Sequence, residues 1–146
     1  MPRLIVAIVL LALGACGPSP SGIDFEQESQ ESHTLEELLA LHEKVVSAQG
    51  KDIYFIQPIG QFGRRGVQAS LDHIAKKGES AATYNNMELV FGVAVYAKQA
   101  TGYVMCEDAV AMQRLADLAD EGDVPPRQAS KFESALTSFC EAGSTS

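Results

Sequence analysis

Apolar residues recur at helical spacing between Thr34 and Gly50. Thr34 with Glu37 three residues later matches a capping box, and Gly50 is typical of a helix end. We therefore predict an amphipathic helix in this segment, with His42 as a core histidine rather than a metal ligand. The apolar face comprises Leu35, Leu38, Leu39, His42, Val45 and Val46.

Two more helices are predicted in the middle of the chain. One runs from Val67 to Lys77 and ends at Gly78, and the other runs from about Asn86 to Ala100. Between Met87 and Ala97 the second of these is apolar nearly all round, which is typical of a buried central helix. Its β-branched valines leave a strand as the alternative.

A fourth helix is predicted over Glu107 to Glu121, ending at Gly122, and a fifth from Pro126 to about Cys140. Two helices joined by a short turn lie antiparallel, so their outer ends meet. Cys106 and Cys140 lie at those ends, and two cysteines in an oxidising compartment favour a disulfide. These elements predict an all-α fold: a compact bundle of four to five helices with one disulfide.

Residues 51–66 are predicted to be irregular. An apolar and aromatic run from Ile53 to Ile56 is too short to assign, and one proline and three glycines interrupt residues 57–66. Arg64 and Arg65 next to the glycines allow an anion-binding loop. A connecting loop fixed by Ile53, Phe55, Ile59 and Phe62 is the favoured interpretation. The breaking residues are Pro58, Gly60, Gly63 and Gly66.

The N-terminus has the pattern of an export signal. Arg3 precedes an apolar run over residues 4–13, which is shorter than the roughly 20 residues that span a membrane. Leu13-Gly14-Ala15-Cys16 resembles the lipobox of bacterial lipoproteins. That resemblance implies cleavage before Cys16, acyl chains on its thiol, and, because Gly17 is not Asp, a place on the periplasmic side of the outer membrane. The alternative is an ordinary signal peptide with a chance cysteine.

The predicted organisation is a signal peptide over 1–15, lipidated Cys16 with a flexible tether over 16–33, and a helical domain over 34–146. The tether is assigned because residues 17–33 are polar and carry no sustained apolar period.

The chain is acidic, with 19 Asp and Glu against 11 Lys and Arg and a net charge of −8. This charge disfavours nucleic acid, and it either favours a basic protein partner or serves solubility alone. Negative charge at a helix C-terminus opposes the helix dipole, so four carboxylates there indicate a partner surface, with a solvated face as the alternative. They are Asp117, Asp120, Glu121 and Asp123.

No motif in the sequence indicates catalysis, a metal or a cofactor, so the prediction is a binding protein rather than an enzyme. From Leu89 to Cys140 the chain resembles the helical immunity proteins that protect bacteria from type VI secretion amidases. The resemblance implies an inhibitor of a periplasmic hydrolase. It is carried by Phe91-Gly92-Val93, Gly102, Cys106, Ala135-Leu136 and Phe139-Cys140.

The chain is also similar to the pilotins of type II secretion systems, which are small lipidated helical bundles that carry a secretin subunit to the outer membrane. A pilotin needs an apolar groove for a partner helix, whereas an immunity protein needs a rigid charged surface. A structural lipoprotein is the third interpretation.

Overall fold

The computed structural model describes residues 22–50 and 53–143, and within these ranges the chain is helical, with no strand. The all-α fold is therefore confirmed, and it has more helices than the sequence predicts. The helices are α1 Phe25–Gln30, α2 Leu35–Ser47, α3 Ile53–Gly60, α4 Arg64–Lys77, α5 Tyr84–Thr101, a 3-10 turn Met105–Glu107, α6 Ala109–Ala119 and α7 Pro126–Gly143.

Helix α5 is the centre of the domain and packs mainly against α3 and α4. Five of its apolar residues are buried: Leu89, Val90, Val93, Ala94 and Ala97. The strand alternative is wrong, because a segment enclosed by other helices must satisfy its backbone hydrogen bonds internally. None of the described helices is long and apolar enough to cross a membrane.

The capping box at the start of α2 is confirmed. The Thr34 hydroxyl accepts a hydrogen bond from the Glu37 amide at 3.2 Å, and the Glu37 carboxylate accepts one from the Thr34 amide at 2.7 Å. These bonds to Thr34 lower the pKa of Glu37. His42 is 3% exposed among the apolar residues of this helix, as predicted for a core histidine.

The tether prediction is wrong for residues 25–30, which form α1. Asp24 caps this helix by accepting a hydrogen bond from the Gln27 amide at 3.1 Å. Phe25 is 7% exposed and meets the ring of Phe55 edge-on, with ring centroids 6.1 Å apart. A single buried aromatic residue joins this short helix to the domain, and one residue creates no periodic pattern. Cys16 and residues 17–21 of the predicted tether lie outside the described residues.

The irregular assignment of residues 51–66 is also wrong over most of its length. Helix α3 covers Ile53–Gly60, with Pro58 inside it, and α4 begins at Arg64. Pro58 removes one backbone donor from α3. Burial of Phe55, Ile56 and Ile59 offsets that loss, because all three side chains enter the core.

The glycines of this region permit close packing at the corner between α3 and α4. A Cβ on Gly60 would meet the Cβ of Tyr96 in α5, and one on Gly66 would meet the carbonyl oxygen of Ile59. Gly63 has φ +59°, in the left-handed region that glycine adopts without strain. The three-residue turn 61–63 is what remains of the predicted connecting loop. Close packing accounts for the glycines on either side of it, Gly60 and Gly66, and the left-handed backbone accounts for Gly63.

The disulfide between Cys106 and Cys140 is confirmed, with the two Cα atoms 5.6 Å apart. It joins the 3-10 turn to α7. The predicted fourth helix is interrupted at Asp108, which ends the 3-10 turn and caps α6. Helix α7 extends to Gly143, and its Phe132 and Phe139 stack on Phe91 of α5, with ring centroids 6.0 and 5.1 Å from that of Phe91.

Candidate functional site

The four carboxylates predicted as a partner surface follow one another at the C-terminal end of α6. We call them the α6 acidic patch: Asp117, Asp120, Glu121 and Asp123. All four are exposed. Asp117 accepts a hydrogen bond from the Gln113 side chain at 2.8 Å, and Asp120 is the C-cap residue of α6. The patch therefore presents its charge to solvent, at the helix end where the dipole is also negative.

Hydrogen bonds from a neighbouring segment hold the end of α6 in place. The Ser80 hydroxyl donates to the carbonyl oxygen of Ala119 at 2.8 Å, and the Ala81 amide donates to that of Leu118 at 3.0 Å. Ser80 and Ala81 are both buried. The last carbonyl groups of the helix thus have partners inside the protein, so the helix end that carries Asp117 and Asp120 is fixed rather than frayed.

The patch differs from the carboxylates near α4, three of which have lysine or arginine partners. Glu43 and Glu79 accept hydrogen bonds from Lys77 at 2.8 and 3.1 Å, and Asp72 pairs with Arg114. In the described part of the chain, no residue of the α6 acidic patch makes a salt bridge. Its charge is therefore available to a partner.

Asp108 is the most strongly perturbed carboxyl group. Its Oδ2 lies 2.8 Å from Arg64 Nε and accepts a hydrogen bond from the Tyr103 hydroxyl at 2.9 Å, while its Oδ1 caps α6 through the Ala111 amide. The hydrogen bond from Arg64 does most to lower the pKa of Asp108, to about 2. Burial, together with the bond to Asp108, raises the pKa of Tyr103 to about 12. This cluster joins α4 to α6, so its role is structural.

Sequence reasoning missed this cluster because Arg64 and Asp108 are 44 residues apart. One local signal was present. An Asp directly before an apolar helical segment is a preferred N-cap, which would have placed the start of the helix at Ala109 rather than Glu107.

A polar cleft of about 430 Å³ lies between α2, α4 and the start of α5. Glu43 is hydrogen-bonded there to Lys77 at 2.8 Å and to His73 at 3.2 Å. Burial raises the pKa of Glu43, but the hydrogen bonds from Lys77 and His73 outweigh it and hold the pKa below its usual value. Burial lowers the pKa of Lys77, and its bonds to Glu43 and Glu79 reverse that effect. The charges of the cleft therefore compensate one another.

The second prominent surface is apolar and follows the outer side of α5. Two cavities, of about 240 and 290 Å³, share Val95, which is 41% exposed. The larger is closed by α3, and the smaller by α7 and the segment before the 3-10 turn. We call the combined surface the α5 groove, lined by Ile53, Ile56, Met87, Phe91, Val95, Val104 and Phe139.

The predicted lipid-attachment residue, Cys16, lies outside the described residues. The structure separates the other predicted sites: the disulfide lies at the 3-10 turn and α7, and the α6 acidic patch lies at the opposite end of α6. No protein-family model, curated protein or solved structure matches the chain.

Proposed function

We propose that this protein is a lipoprotein of the outer membrane that faces the periplasm and binds a basic protein partner through the α6 acidic patch. The partner class that suits it best is a secreted hydrolase, which the protein would inhibit as an immunity protein does. The observation that carries the proposal is the exposed patch of carboxylates without salt bridges at a helix end that is held by hydrogen bonds. Charge complementarity of this kind speeds association and excludes wrong partners.

The anchor is proposed from the lipobox at residues 13–16, with acyl chains on Cys16. Because α1 belongs to the folded domain, only the chain from Cys16 to Asp24 separates the lipid from the first helix. At no more than about 3.6 Å per residue, that chain reaches at most about 29 Å. The domain would therefore stay close to the membrane surface, where an arriving toxin must pass.

The anchor is tested by Cys16→Ser, expressed in the native bacterium or a close relative. We expect fatty-acid labelling of the protein to be lost, because the Cys16 thiol is the group that takes the lipid in the proposed modification. Ser21→Ala, in the same segment, serves as the matched control and should be labelled normally. Continued labelling of Cys16→Ser would refute the anchor.

The partner surface is tested by reversing its charge with Asp117→Lys, Asp120→Lys and Asp123→Lys together. The control carries the same change in charge at exposed carboxylates elsewhere, with Glu26→Lys, Glu36→Lys and Glu133→Lys. We expect the wild type and the control to capture a basic hydrolase from periplasmic extract and to inhibit it. The patch variant should bind at least about tenfold more weakly, which corresponds to about 1.4 kcal/mol.

The salt dependence gives a second measurement. Binding through exposed carboxylates should weaken as ionic strength rises, because charges separated by more than a Debye length are screened. If the patch variant and the wild type inhibit the hydrolase equally at low salt, the patch serves only solubility.

The α5 groove favours a second candidate, a pilotin-like assembly factor that holds an amphipathic helix of a secretion-system subunit. Its apolar lining is what such a helix requires. Val95→Glu separates the two candidates, since it places a charge in the groove and leaves the α6 acidic patch intact. If Val95→Glu no longer binds a secretin peptide while the patch variant still binds it, the pilotin-like function would replace the hydrolase proposal.

A further inference from the structure

Three metal-ligating side chains meet at the corner between α1 and α2. They are Glu28 in α1, Glu31 at its C-cap and His33 just before the N-cap of α2. One ligand atom from each lies within 4.8 Å of the other two. We call this group the α1–α2 corner. It lies in a segment that the sequence pattern assigns to a tether, so the sequence alone gives no reason to expect a site there.

The imidazole of His33 is more buried than the Glu28 side chain beside it. Its side chain is 13% exposed, whereas that of Glu28 is 37% exposed. Its Nε2 lies 2.7 Å from the carbonyl oxygen of Glu28 and 3.5 Å from Oε2 of the same residue. Because a carbonyl oxygen only accepts, Nε2 is the nitrogen that donates in this contact, which leaves Nδ1 as the ring nitrogen that could bind a cation.

The surrounding charge favours a cation. Residues 22–43 contain no Lys or Arg. In the described part of the chain, the only ion-pair partner of Glu28 is His33. The other ring nitrogen of His33, Nδ1, lies 3.8 Å from Oε2 of a third carboxylate, Glu37. A divalent ion would neutralise two carboxylates that no lysine or arginine of the same segment can reach.

We propose that the α1–α2 corner binds one divalent cation of the zinc class, with Glu28, Glu31 and His33 as its protein ligands. One imidazole with two carboxylates is a donor set that Zn²⁺ accepts, and water completes a site with three protein ligands. Metal–ligand bonds of about 2.0–2.2 Å place tetrahedral ligand atoms about 3.4 Å apart. The distances between the three atoms must therefore shorten by at most about 1.4 Å, which rotation of the partly exposed Glu28 and the exposed Glu31 side chains provides.

Binding at this place has a structural consequence. Helix α1 has six residues and is held to the core by Phe25, so its attachment is limited. A cation shared by Glu28, Glu31 and His33 would join the end of α1 to the start of α2 by coordination. Zn²⁺ would thereby fix where the N-terminal chain leaves the domain.

The test is a titration of the full mature protein in detergent micelles with Zn²⁺, followed by NMR of the imidazole nitrogens. The chain has three histidines, which makes the signals separable. We expect the signals of His33 to shift with a stoichiometry of one, while those of His42 and His73 stay in place. Hydrogen exchange of α1 should slow at the same zinc concentration.

Variants assign the ligands. His33→Ala and Glu31→Gln should each weaken Zn²⁺ binding at least about tenfold, since even groups outside the coordination shell contribute roughly 10–100-fold in metal sites. Glu26→Gln, an exposed carboxylate in the same helix, is the matched control and should bind as the wild type does. Absence of a His33 shift in the wild type, or an earlier shift of His73 or His42, would overturn the proposal without reliance on any variant.

Discussion

Replacing Cys106 and Cys140 together by alanine should lower the free energy of unfolding by about 4 kcal/mol, the value that chain entropy predicts for a loop of this length. The two cysteines are 34 residues apart in sequence. Whole-domain stabilities are about 5–15 kcal/mol, so the loss is a large share of the total. The corresponding drop in melting temperature is about 10–20 °C, measured by circular dichroism or calorimetry.

In the protein without the disulfide, local unfolding should begin at α7. Phe132 is the only buried residue among the 18 of that helix. Besides the disulfide, its contacts include the stacking of Phe132 and Phe139 on Phe91 and two hydrogen bonds. The Gln128 side chain donates to the carbonyl oxygen of Ala82 at 2.8 Å, and Lys98 donates to that of Gly143 at 3.3 Å. Hydrogen exchange in α7 should therefore rise before that in α4 or α5.

A Cys16→Ser protein that retains the other two cysteines is the control for this experiment and should melt as the wild type does. Reduction of the wild type with a thiol should reproduce the double variant. Equal melting temperatures with and without the bond would show that the disulfide contributes nothing to the stability of the fold.

The parts of the fold that the sequence predicts are those in which apolar residues repeat over several turns. Helices α2, α4 and α5 each bury several apolar residues, and each ends at or near a glycine. The spacing of apolar residues and the helix-ending glycine therefore predict the same helix. The disulfide was predictable for a related reason: two helices joined by a short turn place their outer ends together.

The short helices could not be found in the same way. Helices α1 and α3 have six and eight residues, less than the length over which a period can be recognised. Tertiary contacts stabilise them: Phe25 meets Phe55, and Phe55, Ile56 and Ile59 enter the core. A helix of this length is marginal in isolation, so local propensity contains little of the information that folds it.

The candidate sites differ in the same way, according to whether their residues are neighbours in sequence or are brought together by the fold. The α6 acidic patch is contiguous in sequence and was visible there, together with the helix end that it occupies. The α5 groove joins Ile53 to Phe139, and the Arg64–Asp108 pair joins two helices, so neither could be assembled before the fold was known. The α1–α2 corner is local, but it was hidden because the sequence pattern assigns its segment to a tether.

A substitution at the glycines between α3 and α4 has the second large expected effect on stability. Gly66→Ala should destabilise the protein by about 1–3 kcal/mol, the usual range for an overfilled core. The added Cβ would meet the carbonyl oxygen of Ile59, which is a backbone atom and cannot move aside by changing a rotamer. Either α3 or α4 must shift, and both pack against α5. The measurement is the midpoint of urea unfolding at an unchanged m-value.

Gly143→Ala is the matched control, because this glycine is also helical and a Cβ there meets nothing within 4 Å. Alanine is favoured over glycine in a helix by roughly 0.5–1 kcal/mol, less near a terminus, so the control should be neutral or slightly stabilising. If Gly66→Ala were as stable as Gly143→Ala, close packing would not explain the glycine at position 66. The interpretation of this turn as an anion-binding loop beside Arg65 would then be the one to pursue, because Arg64 already pairs with Asp108.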